Sequence, residues 1–278
     1  MLKLTSELLQ QTLDIAYLAG EHLTHFYQQT ASSAVQISQK SDNTPVTEVD
    51  LFLSQFLIEK LTALTPSIPV LSEENCNIPL AEREQWHQYW LIDPLDGTQQ
   101  FINRTGYFSV LITLMQNNQA VLGIIHAPVL QTTYYAMQHY GAYKKVAQNV
   151  QRLLPRTLDL SRPIKVALGA SRAKKKARQT FNDNYQYEFV ICGSSGIKSG
   201  LVADGSCDCY LRLGKTSEWD TAPAEIILQE MGGAVFDDVY QPLIYNQKND
   251  FGNPNFLMVS NKNSNWQKLF RFNINSLT

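Results

Sequence analysis

Apolar residues recur at helical spacing in two segments near the start of the chain. In the first, MLKLTSELLQQTLDIAYLAGEHL, Glu7, Asp14 and Glu21 interrupt the apolar positions. This pattern predicts an amphipathic helix that packs on a core, and it differs from the pattern of a secretory signal. The second segment, LFLSQFLIEKLTAL, predicts another helix, which is expected to end before Pro66 and Pro69.

Shorter apolar runs indicate strands. Residues 70–71 lead into two glutamates and residues 90–92 lead into two aspartates, and both runs are predicted to be short buried strands. Two longer runs follow, separated by Asn117 and Asn118, and a third run comes after Pro128. Turn residues between apolar runs are typical of hairpins, so an antiparallel sheet is expected here.

A polar segment with two prolines, Pro155 to Pro163, predicts a boundary near residue 160. It would divide the chain into an N-terminal α+β subdomain, residues 1–160, and a C-terminal α/β subdomain, residues 161–278. The alternation of strands and helices beyond it favours a largely parallel sheet covered by helices. The elements predicted there are a strand at 165–169, a helix at about 173–182, a strand at 188–192, a helix at about 196–204, a strand at 208–213 and a helix at 221–231.

Composition narrows the classes of protein to consider. With 278 residues, 44% of them hydrophobic, the chain can bury a sizeable core. A formal net charge of −2 argues against a nucleic-acid partner held by bulk electrostatics. No apolar run reaches the roughly 18 to 20 residues that cross a bilayer. Four scattered cysteines indicate a reducing, cytoplasmic location, and Cys207 and Cys209 should point to opposite faces of a strand rather than share a metal.

The segment WLIDPLDGTQQF carries the most informative chemistry. An apolar strand ends in Asp93 and Asp96, and two like charges this close repel unless a hard cation lies between them. Gly97 lets the backbone approach a ligand, and the hydroxyl of Thr98, in what is predicted to be the first turn of a helix, suits a phosphate. Aspartate, proline and glycine are also common turn formers, so DPLDG alone is equally consistent with a surface loop.

Two further acidic clusters favour the metal site over the loop. Glu73 follows the strand at residues 70–71 in LSEEN, and Asp220 opens an apolar segment in SEWDTAPAE. Together with Asp93, Asp96 and the Leu95 carbonyl these are all oxygen ligands, which favour Mg²⁺ or Mn²⁺ over zinc or copper. Four carboxylates from three segments would repel one another strongly, so we expect at least two divalent ions.

Asp50, which closes KSDNTPVTEVD, is a candidate for proton transfer. If it lies next to Thr98, the two side chains could share a water and move its proton as the water attacks phosphorus. Thr47 followed by acidic residues is also a good helix N-cap, so ordinary capping is the alternative role for Asp50.

Taken together, these motifs resemble a known family. DPLDGT, with SEE upstream and WDTAPAE downstream, resembles the inositol monophosphatase superfamily of magnesium-dependent, lithium-sensitive phosphatases. KSDNTPVTEVD, TPSIPVLSEEN, YWLIDPLDGT, GIIHAPV, SSGIKSGLVADG and GKTSEWDTA look like the 3'(2'),5'-bisphosphate nucleotidases of the bacterial CysQ type. The resemblance runs roughly from Ala16 to Ser260.

The resemblance implies a five-layer αβαβα sandwich with the site between its two halves. It implies two or three Mg²⁺ ions per site, with Mn²⁺ as a substitute and with Li⁺ and Ca²⁺ as inhibitors. The metal ligands it implies are Glu73, Asp93, Asp96, Asp220 and the Leu95 carbonyl. Asp50 and Thr98 match the pair that activates water, and backbone groups of Gly97 and Thr98 match the phosphate cradle. The implied reaction removes the 3'-phosphate of adenosine 3',5'-bisphosphate and gives AMP.

Ser195, Lys198 and Arg212 match the nucleotide-binding positions of this type, where two cations would suit a second phosphate. A solvated face is the alternative for a lone Lys or Arg. Gln99 and Gln100 stand where these nucleotidases commonly carry Lys and Glu, so the charge beside the metal site differs.

Other functions stay open on the sequence alone. An inositol monophosphatase or another sugar-phosphate phosphatase would use the same chemistry, and a catalytically silent sensor of phosphorylated nucleotides would keep only the pocket. The 3'-phosphate of adenylyl sulfate is a second candidate substrate. The oligomeric state, a homodimer included, and a peripheral position at the inner membrane are not fixed by the sequence.

Overall fold

The computed structural model describes residues 2–29, 37–39 and 45–272. The helices within these residues are α1 (Ser6–Gln29), α2 (Glu48–Leu64), α3 (Leu80–Arg83), α4 (Thr98–Ile102), α5 (Ala173–Arg178), α6 (Ser195–Ala203), α7 (Glu218–Glu230) and α8 (Trp266–Leu269). The strands are β1 (Ile37–Gln39), β2 (Pro45–Thr47), β3 (Val70–Ser72), β4 (Gln88–Asp96), β5 (Ser109–Gln116), β6 (Gln119–Ala127), β7 (Thr132–Met137), β8 (Gly141–Val146), β9 (Asn149–Leu153), β10 (Ile164–Leu168), β11 (Tyr187–Ile191), β12 (Cys209–Arg212), β13 (Ala234–Asp237) and β14 (Phe256–Val259).

A seven-stranded sheet forms the N-terminal half, in the order β3-β4-β5-β6-β7-β8-β9. Its strands pair antiparallel, except that β3 and β4 are parallel. Asn117 and Asn118 join β5 to β6 with φ angles of 48° and 60°, a conformation that suits asparagine in a two-residue hairpin. The predicted antiparallel sheet is therefore confirmed, and β8 and β9 extend it further than the sequence indicated.

A five-stranded sheet forms the C-terminal half, in the order β11-β10-β12-β14-β13. The three strands that the sequence predicted, β10, β11 and β12, are parallel to one another. β14 is antiparallel to both of its neighbours, β12 and β13, so the sheet is mixed. The sequence did not predict β13 and β14, which follow the last helix of the predicted alternation.

Five layers are stacked around the two sheets. α1 and α2 pack on the outer face of the seven-stranded sheet, α6 and α7 lie between the two sheets, and α5 and α8 cover the outer face of the five-stranded sheet. Successive side chains of a strand point to opposite faces of the sheet and so pack against different helices: Leu91 faces α7 while Ile92 faces α1 and α2. Cys207 and Cys209 likewise lie in different hydrophobic clusters, as the sequence predicted. The αβαβα sandwich is confirmed.

Among the predicted elements of the C-terminal half, α5 and α7 differ most from their predicted ends. α5 ends at Arg178, four residues before the predicted end, because the following residues bond instead to the segment of α8: Asn182 donates its N–H to the Leu269 carbonyl at 3.0 Å. α7 begins three residues earlier than predicted, because Ser217 and Asp220 form a capping box.

The predicted boundary near residue 160 falls between the last strand of one sheet, β9, and the first strand of the other, β10. The two sheets share the hydrophobic cluster around α7, so a division into subdomains 1–160 and 161–278 stays a prediction. Among the helices of the described residues, none combines the length and the apolar character that crossing a bilayer requires.

Candidate metal and phosphate site

The end of β4 turns two aspartates toward one point. Asp93 pairs with Leu111 and Asp96 pairs with Ser109 on β5, and the register shifts between the two aspartates. Such an irregularity re-aims side chains that would otherwise alternate between the faces of the sheet. Asp93 accepts a hydrogen bond from the N–H of Leu95 at 3.0 Å, which fixes its carboxylate within the turn.

The parallel pairing of β3 and β4 brings Glu73 next to Asp93. Ser72 is opposite Ile92 in this register, and the N–H of Glu73 donates to the Ile92 carbonyl at 3.1 Å. The residue after β3 therefore lies beside Asp93, because the carboxyl ends of parallel strands meet at one edge of a sheet. Two clusters that are 20 residues apart in the chain thus become neighbours.

Asp220 reaches the same place from the first turn of α7. Its carboxylate accepts the N–H of Ser217 at 2.7 Å, which caps the helix and orients the side chain. Carboxylate oxygens of Asp93, Asp96 and Asp220 lie within 4.8 Å of one another. Within the described part of the chain, no other group of three acidic, histidine or cysteine residues meets this criterion.

The electrostatics of the cluster suit a cation. Burial raises the pKa of Asp93 well above its ordinary value, and the charges of Glu73, Asp96 and Asp220 raise it further. Burial, followed by the charge of Asp96, raises the pKa of Asp220 to about 7. Ionising Asp93 or Asp220 therefore costs free energy in the metal-free protein, and a bound divalent cation would offset that cost. The oxygen-only donor set fits Mg²⁺ or Mn²⁺.

The two oxygens of Asp50 have different partners. Oδ2 accepts the N–H of Thr47 at 2.7 Å and its hydroxyl at 2.5 Å, which completes a capping box at the start of α2. Oδ1 accepts the hydroxyl of Thr98 at 3.0 Å. Burial raises the pKa of Asp50, the hydrogen bonds from Thr47 and Thr98 oppose that shift, and the charge of Glu73 adds to it. The two roles that the sequence left open for Asp50 are therefore compatible.

Gly97 joins β4 to α4 in a conformation that favours glycine. Its φ is 92°, and a Cβ atom there would lie 3.1 Å from the carbonyl oxygen of Tyr107. The turn brings Thr98 to the start of α4, where its hydroxyl also lies 3.2 Å from the Leu95 carbonyl. The first N–H groups of a helix have no partner within the helix and are available to a ligand.

Asp96 is bound by four donors that tie the two halves of the protein together. Oδ2 accepts the hydroxyls of Ser109, at 3.0 Å, and of Ser194, and also the N–H of Gly196 at 2.8 Å, while Oδ1 accepts the N–H of Ser195 at 3.1 Å. Sequence analysis assigned no role to Ser109 or Ser194. The sequence signal for Ser109 was only that it opens an apolar strand, and the pairing of β4 with β5 is what places it opposite Asp96.

Lys198 lies within the protein rather than at the surface. Its side chain is only 1% exposed, and Nζ donates to the carbonyls of Cys192, Gly193 and Ser194 at 3.2, 3.3 and 2.6 Å. All three ammonium hydrogens have partners in this arrangement. This placement excludes a solvated face, because α6 is covered on both sides by the sheets. A Cβ atom on Gly169 would lie 4.0 Å from Nζ, and the role of Lys198 in substrate binding stays a prediction.

Ser195 and Arg212 differ in their availability to a ligand. The Ser195 hydroxyl is 3.2 Å from the hydroxyl of Tyr210, and the residue is buried. Arg212 is half-buried at the end of β12, where Nη2 donates to the Lys215 carbonyl at 2.6 Å. A Cβ atom on Gly169 would lie 3.2 Å from its Nη1, so the absence of a side chain at residue 169 leaves space beside this guanidinium.

Comparison with known proteins agrees with the geometry. The sequence profile described as the inositol monophosphatase family matches residues 5–267. The chain belongs to the inositol monophosphatase family. The family resemblance found in the sequence is thereby confirmed.

Relatives within the family are similar over their full length. The 3'(2'),5'-bisphosphate nucleotidase CysQ of Aggregatibacter actinomycetemcomitans is 58% identical over 97% of this chain and 99% of its own. The protein of the same name from Haemophilus influenzae is 55% identical over 98% of this chain and 100% of its own. The crystal structure of CysQ from Bacteroides thetaiotaomicron aligns with a TM-score of 0.72 at 30% identity, covering 90% of this chain and 96% of that one.

Proposed function

We propose that this protein is a metal-dependent phosphatase that hydrolyses the 3'-phosphate of adenosine 3',5'-bisphosphate to AMP and phosphate. The observation that carries the proposal is the convergence of Asp93, Asp96 and Asp220 within 4.8 Å, next to the bonded pair of Asp50 and Thr98. The names of relatives that are 58% and 55% identical to it support the choice of substrate.

The metal in this proposal is Mg²⁺, with two or three ions per site. Glu73, Asp93, Asp96, Asp220 and the Leu95 carbonyl would hold it. When bound, the metal would neutralise the phosphoryl oxygens, lower the pKa of the attacking water and stabilise the leaving oxygen. The raised pKa values of Asp93 and Asp220 support this assignment, because like charges held this close need a counter-charge.

Proton transfer is assigned to Thr98 and Asp50. The Thr98 hydroxyl donates its hydrogen to Asp50 at 3.0 Å, so the Thr98 oxygen can accept a proton from a water while its own hydrogen passes to the carboxylate. Burial favours the protonated form of Asp50, which makes it a suitable acceptor. The water then attacks phosphorus opposite the ribose 3'-oxygen, and no side chain becomes phosphorylated.

Backbone N–H groups of Gly97 and Thr98 would bind the transferred phosphate. The second phosphate of the substrate is assigned to Arg212, whose Nη1 borders the open space at Gly169. Ser195 and Lys198 would support this binding site, because their bonds to Tyr210 and to the carbonyls of residues 192–194 hold the loop that precedes α6. Nζ of Lys198 also borders the space at Gly169.

The test is phosphate release by the purified protein with Mg²⁺. Adenosine 3',5'-bisphosphate and the 3'-phosphate of adenylyl sulfate should be hydrolysed, while AMP and inositol 1-phosphate should react at least a hundred times more slowly, as judged by kcat/KM. Equal rates on all of them, or a preference for inositol 1-phosphate, would contradict the substrate assignment. The assignment as a metal-dependent phosphatase would still hold. Nucleotide binding without turnover would instead indicate a sensor.

A further inference from the structure

A buried arginine connects the two halves of the protein. Arg83, the last residue of α3, is fully buried. Its Nη1 donates to Oδ1 of Asn246 at 2.5 Å, and its Nη2 donates to the carbonyls of Lys248 and Asn249 at 3.0 and 3.2 Å. Nε donates to the Ile78 carbonyl at 2.8 Å, so the guanidinium bridges its own segment and a loop more than 160 residues later.

Asn246 passes this connection on to α7. Its side-chain Nδ2 donates to the Arg83 carbonyl at 2.8 Å, which makes the contact between the two residues reciprocal. Its own N–H donates to Oε2 of Glu218 at 2.8 Å. Asn246 is 1% exposed and has a φ of 55°, a left-handed conformation that asparagine tolerates better than most residues.

Glu218 is the first residue of α7 and lies two residues before Asp220. The same loop also holds this turn through the backbone, since the N–H of Glu218 donates to the Phe251 carbonyl at 2.9 Å. Asn253 adds a side-chain bond from Nδ2 to the Ser217 carbonyl at 2.6 Å. The first turn of α7 is thus bonded on its outer side to residues 246–253, and Arg83 fixes that loop to the N-terminal half.

We propose that Arg83 is a positioning residue for the metal site. α3 directly precedes β4, the strand that carries Asp93, so the chain of contacts from Arg83 through Asn246 and Glu218 sets Asp220 against Asp93. This inference rests on the proposed metal site. Partners that hydrogen-bond directly to metal ligands typically change metal affinity by about 10- to 100-fold when they are removed. Arg83 acts through two intervening residues, so its effect is expected at the lower end of this range.

Arg83→Met tests the proposal, because it keeps the aliphatic bulk and removes every guanidinium bond. The control is Arg162→Met, which removes a bidentate ion pair with Asp208 at 2.7 and 2.8 Å. Metal-free proteins are titrated with Mg²⁺ and with Mn²⁺ in a calorimeter, below the unfolding temperature of each variant. Arg83→Met should bind about tenfold more weakly. Arg162→Met should lose thermal stability but bind metal like the wild type.

Two further measurements separate positioning from general structural damage. Asn246→Gly retains the left-handed backbone and the N–H to Glu218 but lacks the amide that meets Arg83, so it should also weaken metal binding. For Arg83→Met, saturating metal should restore most of kcat without changing the substrate KM. Wild-type metal affinity in either variant overturns the positioning role. If Asp220→Asn also bound metal like the wild type, the proposed metal site itself would be wrong.

Discussion

Replacing Asp220 by asparagine should stabilise the metal-free protein at pH 8, although it removes a proposed metal ligand. The carboxylate lies among other acids, and burial together with the charge of Asp96 raises its pKa to about 7. Above that pH it is ionised in the folded protein, where the charge of Arg212 offsets only part of the cost of burial and of repulsion from Asp96 and Glu73. An amide avoids this cost, and its oxygen can still accept the N–H of Ser217 that caps α7.

The size of the effect follows from the pKa values in the two states. The pKa of Asp220 rises from 3.8 in its ordinary state to about 7 in the folded protein, a difference worth about 4 kcal/mol at 1.36 kcal/mol per unit. Below pH 3.8 both states are protonated and nothing is lost. As the pH rises to 7, only the unfolded state releases its proton, so the stability of the wild type falls throughout this window and the full loss is reached above it.

The assay is denaturant unfolding of both proteins in EDTA at pH 5 and pH 8. The wild type should be less stable than Asp220→Asn by about 4 kcal/mol at pH 8 and by under half of that at pH 5. Burial also raises the pKa values of Glu218 and Glu225 to about 7, but these residues are present in both proteins and largely cancel in the difference. Added Mg²⁺ should stabilise the wild type more than the variant, which lacks one proposed ligand.

Asp204→Asn is the matched control. Burial opposes ionisation of Asp204, yet the bond from Lys144 at 2.7 Å and bonds from Ser206 and Tyr134 outweigh it and lower its pKa. Neutralising this paired carboxylate should therefore destabilise the protein at pH 8. If Asp220→Asn were destabilised in EDTA as Asp204→Asn is, repulsion among the acidic side chains would not control the stability of the metal-free protein, and the reasoning would fail.

Four other outcomes are expected. Thr98→Val should lower kcat at least about a hundredfold by removing the hydroxyl that donates to Asp50, whereas Thr98→Ser should keep most of it; equal losses in the two variants would argue against the proton relay. Lys198→Met should lower the unfolding temperature, because three buried carbonyls lose their donor, while Arg212→Met should mainly raise KM for the bisphosphate; the opposite pattern would place Lys198 in the pocket. Gly97→Ala should destabilise the protein by about 1–2 kcal/mol through its φ of 92° and should impair turnover more than folding, as unfolding curves and kcat will show. Lithium and calcium should inhibit phosphate release at millimolar Mg²⁺, and resistance to both would count against the family's metal chemistry in this protein.

Local pattern predicted the parts of the fold that depend on neighbouring residues. The hairpin at Asn117 and Asn118 and the helical spacing of α1 follow from φ preferences and from the period of apolar positions, so the sequence contained them. The closeness of Glu73 to Asp93 needed one more step, the parallel register of β3 and β4, which places two strand ends at one edge. The sequence showed both strand ends but not their pairing.

Local sequence pattern could not predict the direction in which a long side chain points. Lys198 was expected to face either solvent or a phosphate. It does not face solvent, and its ammonium group bonds to the three carbonyls before α6. The reason is tertiary: α6 lies between two sheets, so none of its faces is free to hold a charge in water, and the ammonium group must find its partners inside the protein. Only the strand order of both sheets reveals that burial.

The position of α6 also explains how its first residues reach Asp96. A Cβ atom on Gly196 would lie 2.6 Å from a Leu111 methyl group, and one on Gly200 would lie 2.2 Å from the ring of Tyr134. Any side chain at these two sites would push the helix away from the seven-stranded sheet. Displacement by even one ångström would lengthen the bonds that the N–H groups of Ser195 and Gly196 make with Asp96, which are 3.1 and 2.8 Å long. The glycines spaced four apart in SSGIKSG thus affect the acidic cluster through packing. A motif that consists only of metal ligands does not include them.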